Sequence, residues 1–244
     1  MPRRIPPSLH YRSNKMNYLN TLLFAIYPFV ALTVFLVGSL IRYDRDQYTW
    51  RTGSSQLLER KQLRIGSYLF HIGVIAILAG HFVGLLTPKA VWHFLGIEAS
   101  TKQMMAMGVG GFFGVICFIG LTILVKRRLT NPRVRASSTK MDVTILLMLY
   151  AQLILGLISI PVSSGHMDGA EMLKLMAWAQ SIVTFDGSSA AAAIADVNII
   201  YKLHILLGMT LFLLFPFSRL VHVWSVPVQY FRRNYQVVRA KAAR

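Results

Sequence analysis

Residues 65–86 read IGSYLFHIGVIAILAGHFVGLL, a run of 22 residues that contains no Asp, Glu, Lys or Arg but two histidines, His71 and His81. About 20 apolar residues in an α-helix cross the hydrocarbon layer of a membrane, so this run predicts a membrane-spanning helix. A second apolar run near the C-terminus contains another two histidines, His204 and His222. An ionisable group at membrane depth is costly, and these four histidines are therefore the first candidates for a functional site.

The composition is that of an integral membrane protein. Hydrophobic residues make up 55% of the 244-residue chain, which is more than a soluble domain of this size would carry. The formal net charge of +17 would suggest a nucleic-acid partner for a soluble protein. Here the basic residues lie mostly between the apolar runs, where they act as topology signals, and we expect no nucleic-acid binding.

Five apolar runs predict an all-α, polytopic membrane protein with five transmembrane helices in one bundle. The runs are residues 18–41, 65–86, 104–125, 143–162 and 199–224. We expect residues 1–15 to form a disordered arm, residues 16–230 the five-helix domain and residues 231–244 a basic cytoplasmic tail.

The connections between the runs differ in their content of basic residues. Residues 42–64 and 126–142 each hold six Lys or Arg, whereas the other two connections hold two and one. Basic connections stay on the cytoplasmic side, so we expect the N-terminus outside and the C-terminus inside. In the long outer connection, residues 167–184 have the spacing of an amphipathic helix at the interface, and the serine and alanine tract at residues 188–193 predicts a flexible linker.

With this topology the second and fifth helices run antiparallel, which pairs the histidines by depth. His71 and His222 lie toward the cytoplasmic side, and His81 and His204 toward the outer side. Two facing histidines are an axial ligand set for haem iron, so the pattern predicts two b-type haems enclosed by the bundle. They would be held noncovalently, because the single cysteine, Cys117, excludes a Cys-x-x-Cys-His attachment. A proton relay and a transition-metal path are the alternatives.

The spacing of the histidines differs between the two helices. Ten residues advance about 15 Å and eighteen about 27 Å, so a kink at Pro216 is expected to absorb part of the difference. Eighteen residues make five turns, which puts His204 and His222 on one face of the fifth helix. Haem propionates need cationic partners, and Arg219, one turn before His222, is the first candidate. Looser candidates are Arg127, Arg128, Arg133 and Arg135.

Long segments of the chain resemble a known family. The segments are RYDRDQYTWR (42–51), LFHIG (69–73), GHFVGLLTP (80–88), KRRLTNPRVRA (126–136), HMDGAEMLKL (166–175) and LHILLGMTLFLLFPFSRLVHVWSVPVQY (203–230). With them, residues 16–240 resemble the gamma subunit of membrane-bound respiratory nitrate reductase, a dihaem cytochrome b anchor. The residues before Met16 depart from the family pattern, which predicts either a later translation start or an added tail.

The resemblance implies a function in the bacterial cytoplasmic (inner) membrane. An outer haem would lie between His81 and His204, and an inner haem between His71 and His222. Quinol would be oxidised near the outer haem. Electrons would then pass to an iron-sulfur beta subunit in the cytoplasm and on to a molybdenum-containing alpha subunit that reduces nitrate.

Three residues are the candidates for the quinol site: Gly80, His81 and Lys102. We expect Lys102 in the connection before the third helix, where it could donate to a quinol oxygen or be a solvated loop cation. The competing functions are a cytochrome b anchor of another respiratory oxidoreductase, such as formate dehydrogenase or hydrogenase, and a haem-free transporter or assembly anchor. Asp and Glu are absent from all five runs, which argues against a proton-driven transporter.

Overall fold

The computed structural model describes residues 18–50, 55 and 58–225, and these residues form helices and turns without any strand. The helices in chain order are α1 (Tyr18–Arg45), α2 (Arg60–Leu86), α3 (Lys89–Phe94), α4 (Ala99–Thr130), α5 (Pro132–Ala136), α6 (Lys140–Ser164), α7 (Ala170–Val183), α8 (Gly187–Ile194) and α9 (Ile199–Leu214). The predicted arm at residues 1–15 and tail at residues 231–244 lie outside the described residues.

Five of these helices are long and apolar enough to cross a membrane. They are α1, α2, α4, α6 and the span Ile199–Phe217, which comprises α9 and the turn after it. Their most apolar segments have mean hydropathies between 1.8 and 2.3. The predicted all-α architecture with five spans is therefore confirmed. α4 begins earlier than the apolar run that predicted it, and this places Lys102 inside a helix.

Glycines allow α2 and α4 to pack closely. A Cβ built on Gly73 would lie 2.5 Å from the Cβ of Cys117, and one built on Gly66 would lie 3.1 Å from the carbonyl oxygen of Gly120. Small residues let the backbones of membrane helices approach each other. The seam between α2 and α4 therefore fixes the helix that carries the first two histidines.

The remaining long helices follow in an open arc. α4 packs on α6, α6 on α9, and α9 on α1, but no comparable packing joins α2 to α9 or α1 within the described ranges. Only 6% of the most apolar segment of α2 is buried. The arc therefore has an opening between α2 and the fifth span.

α7 and α8 form a cover over one end of the bundle. Their apolar faces enter a cluster with the beginnings of α1 and the fifth span, comprising Phe24, Trp178, Ala179, Ile182, Ala190, Ile194, Val197 and Tyr201. The helix predicted within residues 167–184 is confirmed as α7. Trp178 anchors it by donating from Nε1 to the carbonyl of Phe24 over 2.9 Å.

The flexible linker predicted at residues 188–193 is wrong, because these residues lie within α8. Alanine has the highest intrinsic helix propensity, and Ala190 and Ile194 are fully buried at 0% exposure. Asp186 caps the helix by accepting from the backbone N–H of Ser189. Hydrogen bonds from Ser189 and Ser188 lower the pKa of the Asp186 carboxyl to about 2.

The fifth span is not a continuous α-helix. α9 ends at Leu214, a 3-10 turn covers Phe215–Phe217, and Ser218 is extended before a second 3-10 turn that carries His222. Pro216 has no backbone N–H to donate, and its ring disfavours a continuing α-helix. The structure thus has a break where the sequence predicts a kink, and the alignment of His204 with His222 over five α-helical turns does not apply.

Candidate functional site

Two pairs of histidines face each other across the opening of the arc. The ring centroids of His71 and His222 are 6.4 Å apart, and those of His81 and His204 are 6.1 Å apart. These are the two pairs that the antiparallel arrangement predicts. The break at Pro216 redirects the chain before His222, so the unequal spacings along the two helices do not prevent both pairs from meeting.

Three of the four rings have one nitrogen engaged by a backbone carbonyl. The Nδ1 atoms of His71 and His81 lie 2.7 Å and 2.8 Å from the carbonyl oxygens one turn earlier in α2. Nδ1 of His222 lies 2.7 Å from the carbonyl oxygen of Arg219. A nitrogen that donates to a carbonyl carries the proton, which leaves Nε2 with a free lone pair, the form in which histidine binds a metal.

His204 has a different environment, in which Gln152 is its polar neighbour. Nε2 of His204 lies 3.3 Å from Nε2 of Gln152. Nδ1 of His204 and Oε1 of Gln152 are both buried without a hydrogen-bond partner. A Cβ built on Gly156 would lie 3.1 Å from the His204 ring. Sequence reasoning missed Gln152, although it is the single side-chain amide in the apolar run at residues 143–162.

The donor set suits an iron held between two imidazoles. With about 2 Å between a metal ion and each ligating nitrogen, two imidazoles on opposite sides of one ion have ring centroids roughly 6 Å apart. Nowhere in the described ranges do three His, Cys, Asp or Glu side chains converge as metal ligands, so each pair offers two ligands. Each pair of facing imidazoles would therefore be able to hold a haem iron, which would supply one-electron redox chemistry.

Lys102 does not lie in a solvated connection, as one interpretation of the sequence predicted. It is in the first turn of α4 and is 5% exposed. Its Nζ donates to the carbonyl of Gly84 over 2.5 Å and lies 2.7 Å from Sδ of Met176. The ammonium is also 4.6 Å from the ring centroid of Trp92. The fold therefore brings Lys102 to α2, one turn beyond the candidate Gly80.

Gln103, the next residue, is a polar centre that sequence reasoning missed. It is 1% exposed, and its Nε2 lies 2.8 Å from the carbonyl oxygens of Ser163 and His166. Its Oε1 accepts from the backbone N–H of Gly169 over 2.9 Å. Gln103 thereby fixes the loop before α7, and α7 in turn carries the methionine that contacts Lys102.

The arginines predicted as propionate partners differ in their surroundings. Arg219 and Arg128 both lie beside the Asp142 carboxylate, at 3.9 Å and 4.0 Å. Both guanidinium groups therefore lie beside one carboxylate, close to the turn that carries the last histidine of the site. Arg127 instead is buried and donates to Oγ and the carbonyl of Ser55, which indicates a structural role.

Comparison with known proteins decides the family. The family model for the nitrate reductase gamma subunit matches residues 20–241. The chain belongs to the nitrate reductase gamma subunit family. This gamma-family chain is 56% identical over 227 residues to respiratory nitrate reductase 1 gamma chain of Escherichia coli (strain K12), covering 93% of this chain and 100% of the relative.

Two further relatives agree with the family assignment. Respiratory nitrate reductase 2 gamma chain of Escherichia coli (strain K12) is 50% identical over 226 residues, which cover 93% of this chain and 99% of the relative. Nitrate reductase gamma chain of Bacillus subtilis (strain 168) is 36% identical over 221 residues, which cover 91% of this chain and 98% of the relative. A gamma-family chain is a subunit of an oxidoreductase, and its five apolar helices make this one a membrane protein.

Proposed function

We propose that this gamma-family chain is the quinol-oxidising, dihaem cytochrome b subunit of a membrane-bound nitrate reductase. The observation that carries the proposal is the two facing pairs of histidines, 6.4 Å and 6.1 Å apart across the opening beside α2. Two redox centres at two depths are what a subunit needs in order to carry electrons through a membrane.

In this proposal His81 and His204 bind an outer b-type haem, and His71 and His222 bind an inner one. Both are held noncovalently, since the single cysteine, Cys117, is buried in α4. When bound, the haems supply one-electron carriers whose potentials depend on axial ligation and surroundings.

Arg219 is the proposed propionate partner of the inner haem. It lies beside the Asp142 carboxylate together with Arg128 and stands three residues before His222. A guanidinium at this position can form charge-assisted hydrogen bonds to a carboxylate.

The proposed quinol site comprises Gly80, His81 and Lys102. A Cβ built on Gly80 or Gly84 would meet nothing within 4 Å, so the face of α2 at these glycines is open. Nδ1 of His81 is already bonded to the carbonyl of Ile77. The Lys102 ammonium has three N–H donors and two hydrogen-bond partners, so it keeps one donor for a quinol oxygen.

Charge separation follows from the proposed orientation, with the N-terminus outside and the C-terminus in the cytoplasm of a bacterium. Oxidation of quinol to quinone releases two protons and two electrons. The protons leave at the outer side, close to His81. The electrons pass toward the side of His222 and reach the iron-sulfur beta subunit, and then the molybdenum-containing alpha subunit that reduces nitrate.

A visible spectrum tests the haem assignment. We expect the reduced-minus-oxidised spectrum of the purified complex, with haem quantified per chain, to show two b-type haems. His81→Ala should lose one and His222→Ala the other. A complex without haem would instead support a transporter or an assembly anchor, and a haem unaffected by either substitution would contradict the ligand assignment.

A further inference from the structure

Arg42, in the last turn of α1, reaches across to the break in the fifth span. Its Nη1 donates to the carbonyl of Pro216 over 2.6 Å and to the carbonyl of Ser218 over 2.9 Å. Its Nη2 donates to the carbonyl of Thr49 over 2.9 Å. One guanidinium therefore joins the end of α1 and the turn after it to two carbonyls that lie just before the second 3-10 turn.

Gly38, one turn earlier in α1, brings the two backbones together. A Cβ built on Gly38 would lie 2.9 Å from Cγ of Pro216, so a side chain at this position would push the break away. Gly38 and Arg42 are four residues apart and hence on one face of the helix. On that face, Gly38 leaves room for the ring of Pro216, and Arg42 donates hydrogen bonds to the break.

The chain after the break is also fastened to the first span. Nε1 of Trp50 donates to Oγ of Ser225 over 2.6 Å. The ring of Phe35 lies 4.8 Å from that of Phe215 and 5.2 Å from that of Trp224, measured between centroids. These contacts flank the segment that carries His222 on both sides.

The contacts from α1 and the turn after it are needed because α9 does not extend to His222. α9 stops at Leu214, and the turn beyond it is only five residues long, with local hydrogen bonds such as that between Nδ1 of His222 and the carbonyl of Arg219. The position of His222 relative to His71 therefore depends on what holds residues 215–225 from outside.

We propose that Arg42 is a positioning residue for the inner haem, and that it holds the segment carrying His222 opposite His71 through the carbonyls of Pro216 and Ser218. The inference rests on the proposed function, in which this pair of histidines binds haem. Arginine suits the task because its planar fork donates to several carbonyls at fixed angles, whereas a lysine ammonium is a compact point charge on a flexible stem.

The test compares Arg42→Lys with Arg45→Lys in the complete membrane complex. Both substitutions keep the positive charge that directs topology. Arg45 ends the same helix and is exposed, and its side chain makes no hydrogen bond or ion pair in the part of the chain that the structure describes. Loss of a residue that orients a metal ligand typically weakens metal binding by about 10- to 100-fold. We expect Arg42→Lys to transfer its inner haem to excess apomyoglobin about tenfold faster than the parent, with the outer haem unchanged.

Electron paramagnetic resonance of the oxidised complexes supplies a second readout. A changed angle between the His71 and His222 rings should shift the inner-haem signal in Arg42→Lys and leave it unchanged in Arg45→Lys. Arg42→Ala should shift or abolish it more strongly. The inference is overturned if the parent holds both haems and Arg42→Lys matches Arg45→Lys in transfer rate and in signal. A parent without two haems would instead overturn the proposed function.

Discussion

Lys102 is a buried ammonium whose partners are a carbonyl, a thioether and an indole ring rather than a carboxylate. Lysine is almost never fully buried without a paired charge. No carboxylate lies within ion-pair distance of Lys102 in the described ranges, and its hydrogen bonds to Gly84 and Met176 use two of its three donors. The third donor is left for a polar ligand, which supports its place in the proposed quinol site.

Replacement of Lys102 by Met tests this role, because Met retains an unbranched apolar stem and removes the charge. A hydrogen bond from a charged group contributes about 1.5–3 kcal/mol, so we expect kcat/KM for quinol oxidation to fall by about tenfold to a hundredfold. Both haems should remain at their parental ratio in the visible spectrum. Steady-state oxidation of a soluble quinol analogue, with nitrate as acceptor, measures the effect.

Lys89→Met is the matched control, since Lys89 is exposed at the start of α3. It should oxidise quinol at the parental rate. Equal rates in the two variants would remove Lys102 from the quinol site.

At the scale of elements, the seam between α2 and α4 positions both histidines of α2. Gly73 lies two residues from His71 and eight from His81, and it contacts the backbone of Cys117 directly. A change at this point therefore displaces a whole helix rather than one side chain.

We expect Gly73→Ala to weaken both haem sites together. The added Cβ would lie 2.8 Å from Cα of Cys117, and overpacking of this kind costs about 1–3 kcal/mol. Haem content per chain and the thermal denaturation temperature of the purified complex should both fall. Gly108→Ala, where an added Cβ meets nothing within 4 Å, should match the parent in both. Loss of one haem with full retention of the other would contradict the claim that the seam between α2 and α4 positions both sites.

Hydropathy predicted the five spans because length and the absence of charge are local properties of the chain. Pairing of the histidines also followed from the sequence, since the order of the spans determines which depths match. The break at Pro216 was expected only as a kink, because the contacts from Arg42 and Gly38 that stabilise it come from residues about 175 positions away. The helix at Gly187–Ile194 and the burial of Lys102 were missed for the same reason: both depend on tertiary neighbours that no local pattern contains.

At the scale of the whole molecule, the orientation of the spans can be tested with single cysteines. The native Cys117 is 2% exposed and should give little background with a membrane-impermeant maleimide. We expect Lys89→Cys to be labelled in intact spheroplasts and Arg133→Cys only in inverted vesicles, because the connections rich in Lys and Arg stay in the cytoplasm. Both parent residues are exposed. The reverse labelling pattern would place the proposed quinol site on the cytoplasmic side.

The open arc has a consequence for how the two centres can change over evolution. α2 carries one histidine of each pair. The other two histidines lie on separately held segments, His204 inside α9 and His222 in the 3-10 turn beyond its end. Substitutions in α2 therefore affect both histidine pairs, whereas substitutions in α9 or in the turn that carries His222 affect one pair. In the proposed dihaem function, natural variation in α9 or in the turn after Pro216 can therefore change the redox character of one haem, while α2 keeps both histidine pairs aligned.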